Sequence, residues 1–256
     1  MFPWPRSARG RRGVAPLRPR SPLLAHLLGI LDVIGQASLG AALSRQQNEG
    51  DGSCRGYGQA QQEDHSTGDR GQGRVIDWGS LPDSVIAWVY VPGTTIDYPV
   101  VRGFTEDPGF YLFHDAEGRY SAWGTPYVAN GCEEGLESPL VMVYGHHMSD
   151  GTMFAPLAGY SSRPFAEEHA EIILYTPDRT LHLEPVLVNV INANKKNVRL
   201  SFGEQEELEE YMAAEEAESE VVLDGYRSGR QVFAFVTCSY ETSNSRTVVY
   251  AMEAES

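Results

Sequence analysis

From Val85 onward, β-branched, aromatic and aliphatic residues recur in short runs broken by turn formers, a pattern that predicts strands rather than helices. Val85 to Val101 reads as strand, turn, strand about Pro92-Gly93. Leu140–His147, Glu171–Thr176, Thr180–Asn192, Gln231–Cys238 and Arg246–Met252 are further strands, and Pro177-Asp178 supplies a hairpin turn between two of them. One segment breaks the pattern. In Gly203 to Glu220, strong helix formers carry Leu208, Tyr211 and Met212 at i, i+3 and i+4 among glutamates, predicting an amphipathic helix with a solvated acidic face. The expectation is a mainly β domain with one inserted helix and no internal repeat.

Upstream the pattern changes twice. Residues 1–20 carry six arginines, and the 23-residue stretch Ser21 to Leu43 is largely apolar. As a helix it would span about 35 Å at roughly 1.5 Å per residue, enough for a bilayer, although His26, Asp32 and Gln36 interrupt it. The arginines on its near side would keep the N-terminus in the cytoplasm and export the remainder of the chain. It is expected to be a membrane anchor; a cleaved signal peptide ending near Gly40-Ala41-Ala42, or a stretch upstream of the true start, are the alternatives. Residues 44–74, rich in Gly, Gln, Ser and charge, read as a flexible linker, so the folded domain spans 75–256 and opens on a short helical or turn segment at Ile76–Ser84.

Charge sharpens this division. Residues 1–75 hold ten Lys/Arg and six Asp/Glu, whereas residues 76–256 hold ten and 29, so the acidic character belongs to the folded domain. An acidic domain without a basic, aromatic-interleaved stripe disfavours nucleic-acid binding. Hydrophobic residues at 41% and charged residues at 21% exclude global disorder and a polytopic membrane protein. Cys54, Cys132 and Cys238 are too few for a disulfide framework, and no CxxC or HExxH spacing offers a zinc site. No metal or cofactor is expected.

A functional thiol remains, and Cys238 is its candidate. It ends the strand FAFVTC, apolar on both faces, and a hairpin centred on Thr242 would set it opposite Arg246. A guanidinium there favours a thiolate and can donate hydrogen bonds to an oxyanion. A second strand, VMVYGHHM, ends in His146 and His147; successive residues point to opposite faces, so one of the two can serve as acid/base toward a given partner. By contrast, His114 reads as structural or surface, and Cys132 as an incidental loop thiol.

YGHHM at 144–148, VTC at 236–238 and Arg246 eight residues beyond the cysteine resemble the catalytic signatures of sortases, the cysteine transpeptidases of Gram-positive cell surfaces. IAWVYVPGTTIDYPVV (86–101), FYLFHDAEGRYSAWGTPYV (110–128) and the acidic helix at 203–220 are similar to class B in particular, and the resemblance covers about 76–252. It implies a closed β-barrel of the sortase type, with short N-terminal helices and a helix inserted before the Cys-bearing strand. Cys238 would be the nucleophile, His146 the general acid/base and Arg246 the group that positions substrate and stabilises the oxyanion. His147 stands where many class B members have Asn and is given no catalytic role. Val236 stands where the family often has a small polar residue, so no substrate contact is assigned to it.

The implied reaction cleaves an NPxTx-like C-terminal sorting signal of an exported protein and joins the threonine carbonyl to an amine of a peptidoglycan precursor or a pilin. The implied location is extracytoplasmic, at the membrane through the N-terminal segment. A cysteine protease-like hydrolase and a catalytically silent surface-binding barrel are the alternatives.

Overall fold

The structure, a computed structural model, describes residues 74–104, 106–193, 196, 198–239 and 244–255. The expected anchor at 21–43, the arginine-rich lead, the linker up to residue 73 and Cys54 lie outside the described residues. Among the described residues, no helix is long and apolar enough to cross a membrane. Arg74, at the end of the expected linker, is bound to the domain: it pairs with Asp97 and lies over the Trp88 ring at 5.2 Å.

Nine strands form one sheet: β1 (Val85–Tyr90), β2 (Asp97–Arg102), β3 (Tyr127–Val128), β4 (Leu140–Tyr144), β5 (Ile172–Tyr175), β6 (Thr180–Asn192), β7 (Val221–Val222), β8 (Val232–Ser239) and β9 (Ser245–Glu253). Their order is β5-β1-β2-β3-β4-β8-β9-β6-β7, and β5 also pairs with β6, so eight strands close into a barrel with β7 outside the ring. Closure removes free edges. The β2–β3 and β4–β8 pairs are parallel and the rest antiparallel. This is the mainly β, closed barrel the sequence implied.

Among the described residues two α-helices accompany it, α1 (Arg163–Glu168) and α2 (Gln205–Ala217). The segment ahead of β1 contributes one 3-10 turn, Trp78–Ser80. The helix α2 lies before the Cys-bearing strand as expected, and Leu208 and Met212 are fully buried. Its acidic face is not uniformly solvated: Glu215 is 2% exposed. Leu208, Tyr211, Met212 and Glu215 fall at i, i+3, i+4 and i+7, so the helical repeat places this carboxylate on the packed stripe.

The strand β6 shows the consequence. From Thr180 to Glu184 exposed and buried side chains alternate, the signature of one solvated face, while Pro185 to Asn189 are all buried. Asn189 meets α2 there, donating from Nδ2 to Glu215 Oε2 at 2.6 Å and to the Glu215 carbonyl at 3.1 Å. Pro185 has no N–H for the ladder, and the β6–β9 register shifts between Pro185 and Leu187.

The strands differ from the predicted ones in two ways. The strands β3 and β7 are two residues each, too short for a periodicity to register. And β4 stops at Tyr144, short of the expected His147; just beyond it the ring of Phe154 packs against Gly145, where a Cβ would lie 2.6 Å from it. Only glycine admits that approach.

Candidate active site

The pairing of β8 with β9 runs from Phe233↔Ala251 to Ser239↔Ser245 and includes Cys238↔Arg246. Directly opposite residues share a sheet face, so the predicted hairpin neighbours are neighbours in the fold. The row continues across β9 into β6, where Ile191 stands opposite Arg246. The Arg246 Nε is buried and has no hydrogen-bond partner among the described residues. An unmatched buried donor is costly, and its cost is relieved by any acceptor that arrives there.

On the other side of β8 lies β4, parallel to it, with pairs from Leu140↔Val232 to Tyr144↔Val236. The Gly145 N–H extends the ladder by donating to the Val236 carbonyl at 3.1 Å. The same register carried two positions beyond its last pair reaches His146 and Cys238. The ladder thus pairs Cys238 with Arg246, and His146 follows the end of β4 two residues beyond the last pair, Tyr144↔Val236, although β4 and β8 are separated by 87 intervening residues between Tyr144 and Val232.

His146 itself stands beyond β4 and is held by other means. Its carbonyl accepts the Phe154 N–H at 2.7 Å, and its Nε2 lies 2.8 Å from the Leu112 carbonyl oxygen. A carbonyl only accepts, so Nε2 carries the proton of the neutral ring and Nδ1 holds the lone pair. Burial pushes the imidazole below its usual value of 6.5, opposed by the Leu112 hydrogen bond. The neutral ring is therefore the dominant form at neutral pH, with Nδ1 ready to take a proton. The Phe113 ring stands 5.8 Å from it, centre to centre.

The Leu112 carbonyl belongs to a 3-10 turn, Phe110–Leu112, against which Gly124 packs at φ +62°. A Cβ on Gly124 would lie 2.5 Å from the Leu112 oxygen and 2.4 Å from that of Tyr111. The acceptor that orients His146 is a backbone atom supported by a side-chain-free position, and neither carries a recognisable sequence motif.

The remaining candidates lie apart from this row. His147 forms an isolated bridge with Met153. His114 stacks on Phe110 with ring centres 3.8 Å apart and shares a hydrogen bond through Nδ1 with the Phe110 carbonyl. Cys132 sits in the β3–β4 loop but is buried, its thiol donating to the Leu140 carbonyl and receiving the Met142 N–H, both at 3.4 Å. Burial pushes its pKa up, which suits an inert thiol. Among the described residues, no cluster of three or more His, Cys, Asp or Glu side chains is placed to hold a metal.

No family model matches the chain. Sortase B of Listeria monocytogenes is 23% identical over 166 residues, covering 64% of this chain and 67% of that protein. Sortase B of Staphylococcus aureus is 24% identical over 170 residues, covering 65% and 69%. Among solved structures, Clostridium perfringens sortase B is 30% identical, with a TM-score of 0.61 over 67% of this chain and 94% of that one. A Staphylococcus aureus sortase B–substrate complex, 21% identical, shares the fold with a TM-score of 0.60 over 68% and 82%. With the barrel closed as in these proteins and the class B helix in place before the Cys-bearing strand, the chain belongs to the class B sortases.

Proposed function

We propose that this protein is an extracytoplasmic cysteine transpeptidase that cleaves an NPxTx-like sorting signal and transfers the threonine carbonyl to an amine of a peptidoglycan precursor or a pilin. The observation that carries this reading is the Cys238↔Arg246 pair, with His146 two residues beyond the end of the neighbouring strand β4 and a buried guanidinium N–H that has no partner among the described residues. Family membership and the substrate complex of the Staphylococcus aureus relative support it.

In this reading the Cys238 sulfur attacks the threonine carbonyl as His146 Nδ1 takes the thiol proton, and the carbonyl π pair becomes an oxyanion stabilised by Arg246. Collapse of that intermediate breaks the C–N bond, and the proton on Nδ1 passes to the departing amine. The thioester then meets the acceptor amine, whose proton returns to Nδ1 as its nitrogen attacks. The C–S bond breaks and the thiolate recovers the proton. One amide is exchanged for another, with no net redox change.

The test is to incubate the full chain with a library of NPxTx peptides and an amine acceptor, and to follow intact mass. A thioester that requires Cys238, together with amide product, is expected. Peptide hydrolysis that added amine never diverts would indicate a hydrolase instead, and turnover by Cys238→Ala would end the proposal.

A further inference from the structure

His146 opens a tight chain reversal that closes at Phe154. The His146 carbonyl accepts the Phe154 N–H at 2.7 Å, and His147 and Met153 form an antiparallel bridge just inside that bond. Within the reversal the Gly151 N–H donates to the Met148 carbonyl at 3.0 Å, and Asp150 Oδ1 accepts the N–H and the hydroxyl of Thr152 at 3.0 and 2.6 Å. Other elements brace it from outside. The Thr95 hydroxyl donates to the Gly151 carbonyl at 2.7 Å, and the Trp123 indole donates to Asp150.

Met153 is the strained point of the reversal. Its φ is +57°, in the left-handed region that residues with a Cβ enter at a cost. Among the described residues, the other non-glycine residue at positive φ is Asn244, a type that tolerates this conformation far better. Met153 is also buried, so its N–H is shielded from water, and an unpaired donor there would be expensive. That N–H donates to the Tyr98 hydroxyl oxygen at 3.0 Å, across 55 positions of the chain. Bonds on both sides of Met153 therefore set its φ: Tyr98 holds its own amide, and the His146 carbonyl holds the next. Strained backbone persists only where its surroundings over-determine it, and it collects at working sites.

We propose that Tyr98 is a positioning residue for the proton carrier: by holding Met153 in the left-handed conformation, its hydroxyl keeps the Phe154 N–H on the His146 carbonyl and thereby the imidazole on the Leu112 carbonyl. This rests on the transpeptidase reading, in which His146 Nδ1 moves the proton. Tyr98 belongs to β2, which β3 separates from β4 in the sheet, so its influence on His146 travels through the backbone of the reversal.

The experiment compares Tyr98→Phe with Tyr160→Phe in the full-length chain. Each removes one oxygen and keeps the ring; the Tyr160 hydroxyl donates to the His169 carbonyl at 2.7 Å, a comparable bond elsewhere. Imidazole nitrogen-15 shifts report which ring nitrogen of His146 bears the proton, and amide exchange reports the Phe154 bond. Wild type should show the Nε2–H form. In Tyr98→Phe the two tautomers should mix, exchange at Phe154 should accelerate, and single-turnover acylation by NPxTx peptides should slow about three- to thirty-fold with KM within about two-fold of wild type. Tyr160→Phe should lower the melting temperature similarly and leave all of these readings as in wild type.

Wild-type shifts and Phe154 protection in Tyr98→Phe overturn the proposal, and so does an equal change in Tyr160→Phe, which would assign the effect to stability. A Met153→Gly background tests the route, because glycine enters the left-handed region without strain. There Tyr98→Phe should alter the tautomer less, and an undiminished effect overturns the path through Met153. If the wild-type chain cleaves no peptide, the transpeptidase reading falls, while the shifts and the exchange still decide whether Tyr98 holds His146.

Discussion

Cys238 and Arg246 are set opposite one another inside an unbroken run of seven cross-strand pairs, whereas His146 stands two residues past the end of its strand. The first arrangement is redundant: strands on both sides of the β8–β9 ladder hold it in register, and a single side-chain change leaves the backbone pairing intact. The second depends on a few unlike contacts, a backbone bond to Phe154, a ring bond to Leu112 and the absence of a side chain at Gly124. The proposed site therefore holds its thiol and its guanidinium by register, while its imidazole depends on contacts outside the row.

The most severe break is made in the row itself. Cys238→Ala should abolish thioester formation in intact-mass spectra while the melting temperature stays near wild type, and residual acylation would remove Cys238 as the nucleophile. Next in size, Arg246→Ala should lower kcat by about 10²- to 10³-fold, the cost typical of losing an oxyanion donor. Arg246→Lys should recover little of it if the guanidinium geometry matters, so full rescue by lysine would reduce the role of Arg246 to its charge.

Gly124→Ala tests the other region. Its Cβ would overlap the Tyr111 and Leu112 carbonyls, costing about 1–3 kcal/mol of stability and rotating the acceptor away from His146. Single-turnover acylation should slow although no residue of the row has changed. A variant with wild-type melting temperature and acylation rate would show that the Leu112 carbonyl does not govern His146.

The pH response of stability sharpens the same point more gently. Burial depresses the folded pKa of His146 below 6.5, so the unfolded chain binds the proton more tightly. The contribution of His146 is then fully present above pH 6.5 and is lost as pH falls through the depressed folded value. His146→Gln should flatten that part of the melting-temperature profile, and an unchanged slope would assign the acid sensitivity elsewhere. The smallest effect belongs on the ladder. Thr247 is fully buried with its hydroxyl unpartnered among the described residues, so Thr247→Val should stabilise by about 1 kcal/mol and leave the register and kcat alone. Loss of activity would show that the ladder is less tolerant than its pairing suggests.

Legibility in the sequence divides along the same line. The span Thr180–Asn192 was predictable to the residue because β-branched runs bounded by turn formers are local signals, and Cys238↔Arg246 came from the hairpin arithmetic. Glu215 was legible in principle, at i+7 from Leu208, as was Asn189 within an apolar strand; counting the glutamates as one solvated face concealed both. Tyr127–Val128 and the Leu112 carbonyl left no trace, since a two-residue strand has no period and a backbone oxygen has no letter.

By itself the sequence determined a strand-rich domain, its inserted helix and the pairing of thiol with guanidinium, because periodicity and hairpin register are properties of neighbouring residues; closure into a barrel was implied by the family resemblance. Only the tertiary structure decided which nitrogen of His146 meets the Leu112 carbonyl, that Gly124 supports that acceptor, and that one of the glutamates of α2 is buried against Asn189 and Lys196. Those outcomes depend on elements far apart in the chain approaching within hydrogen-bond distance, and closure of the barrel is what brings them together.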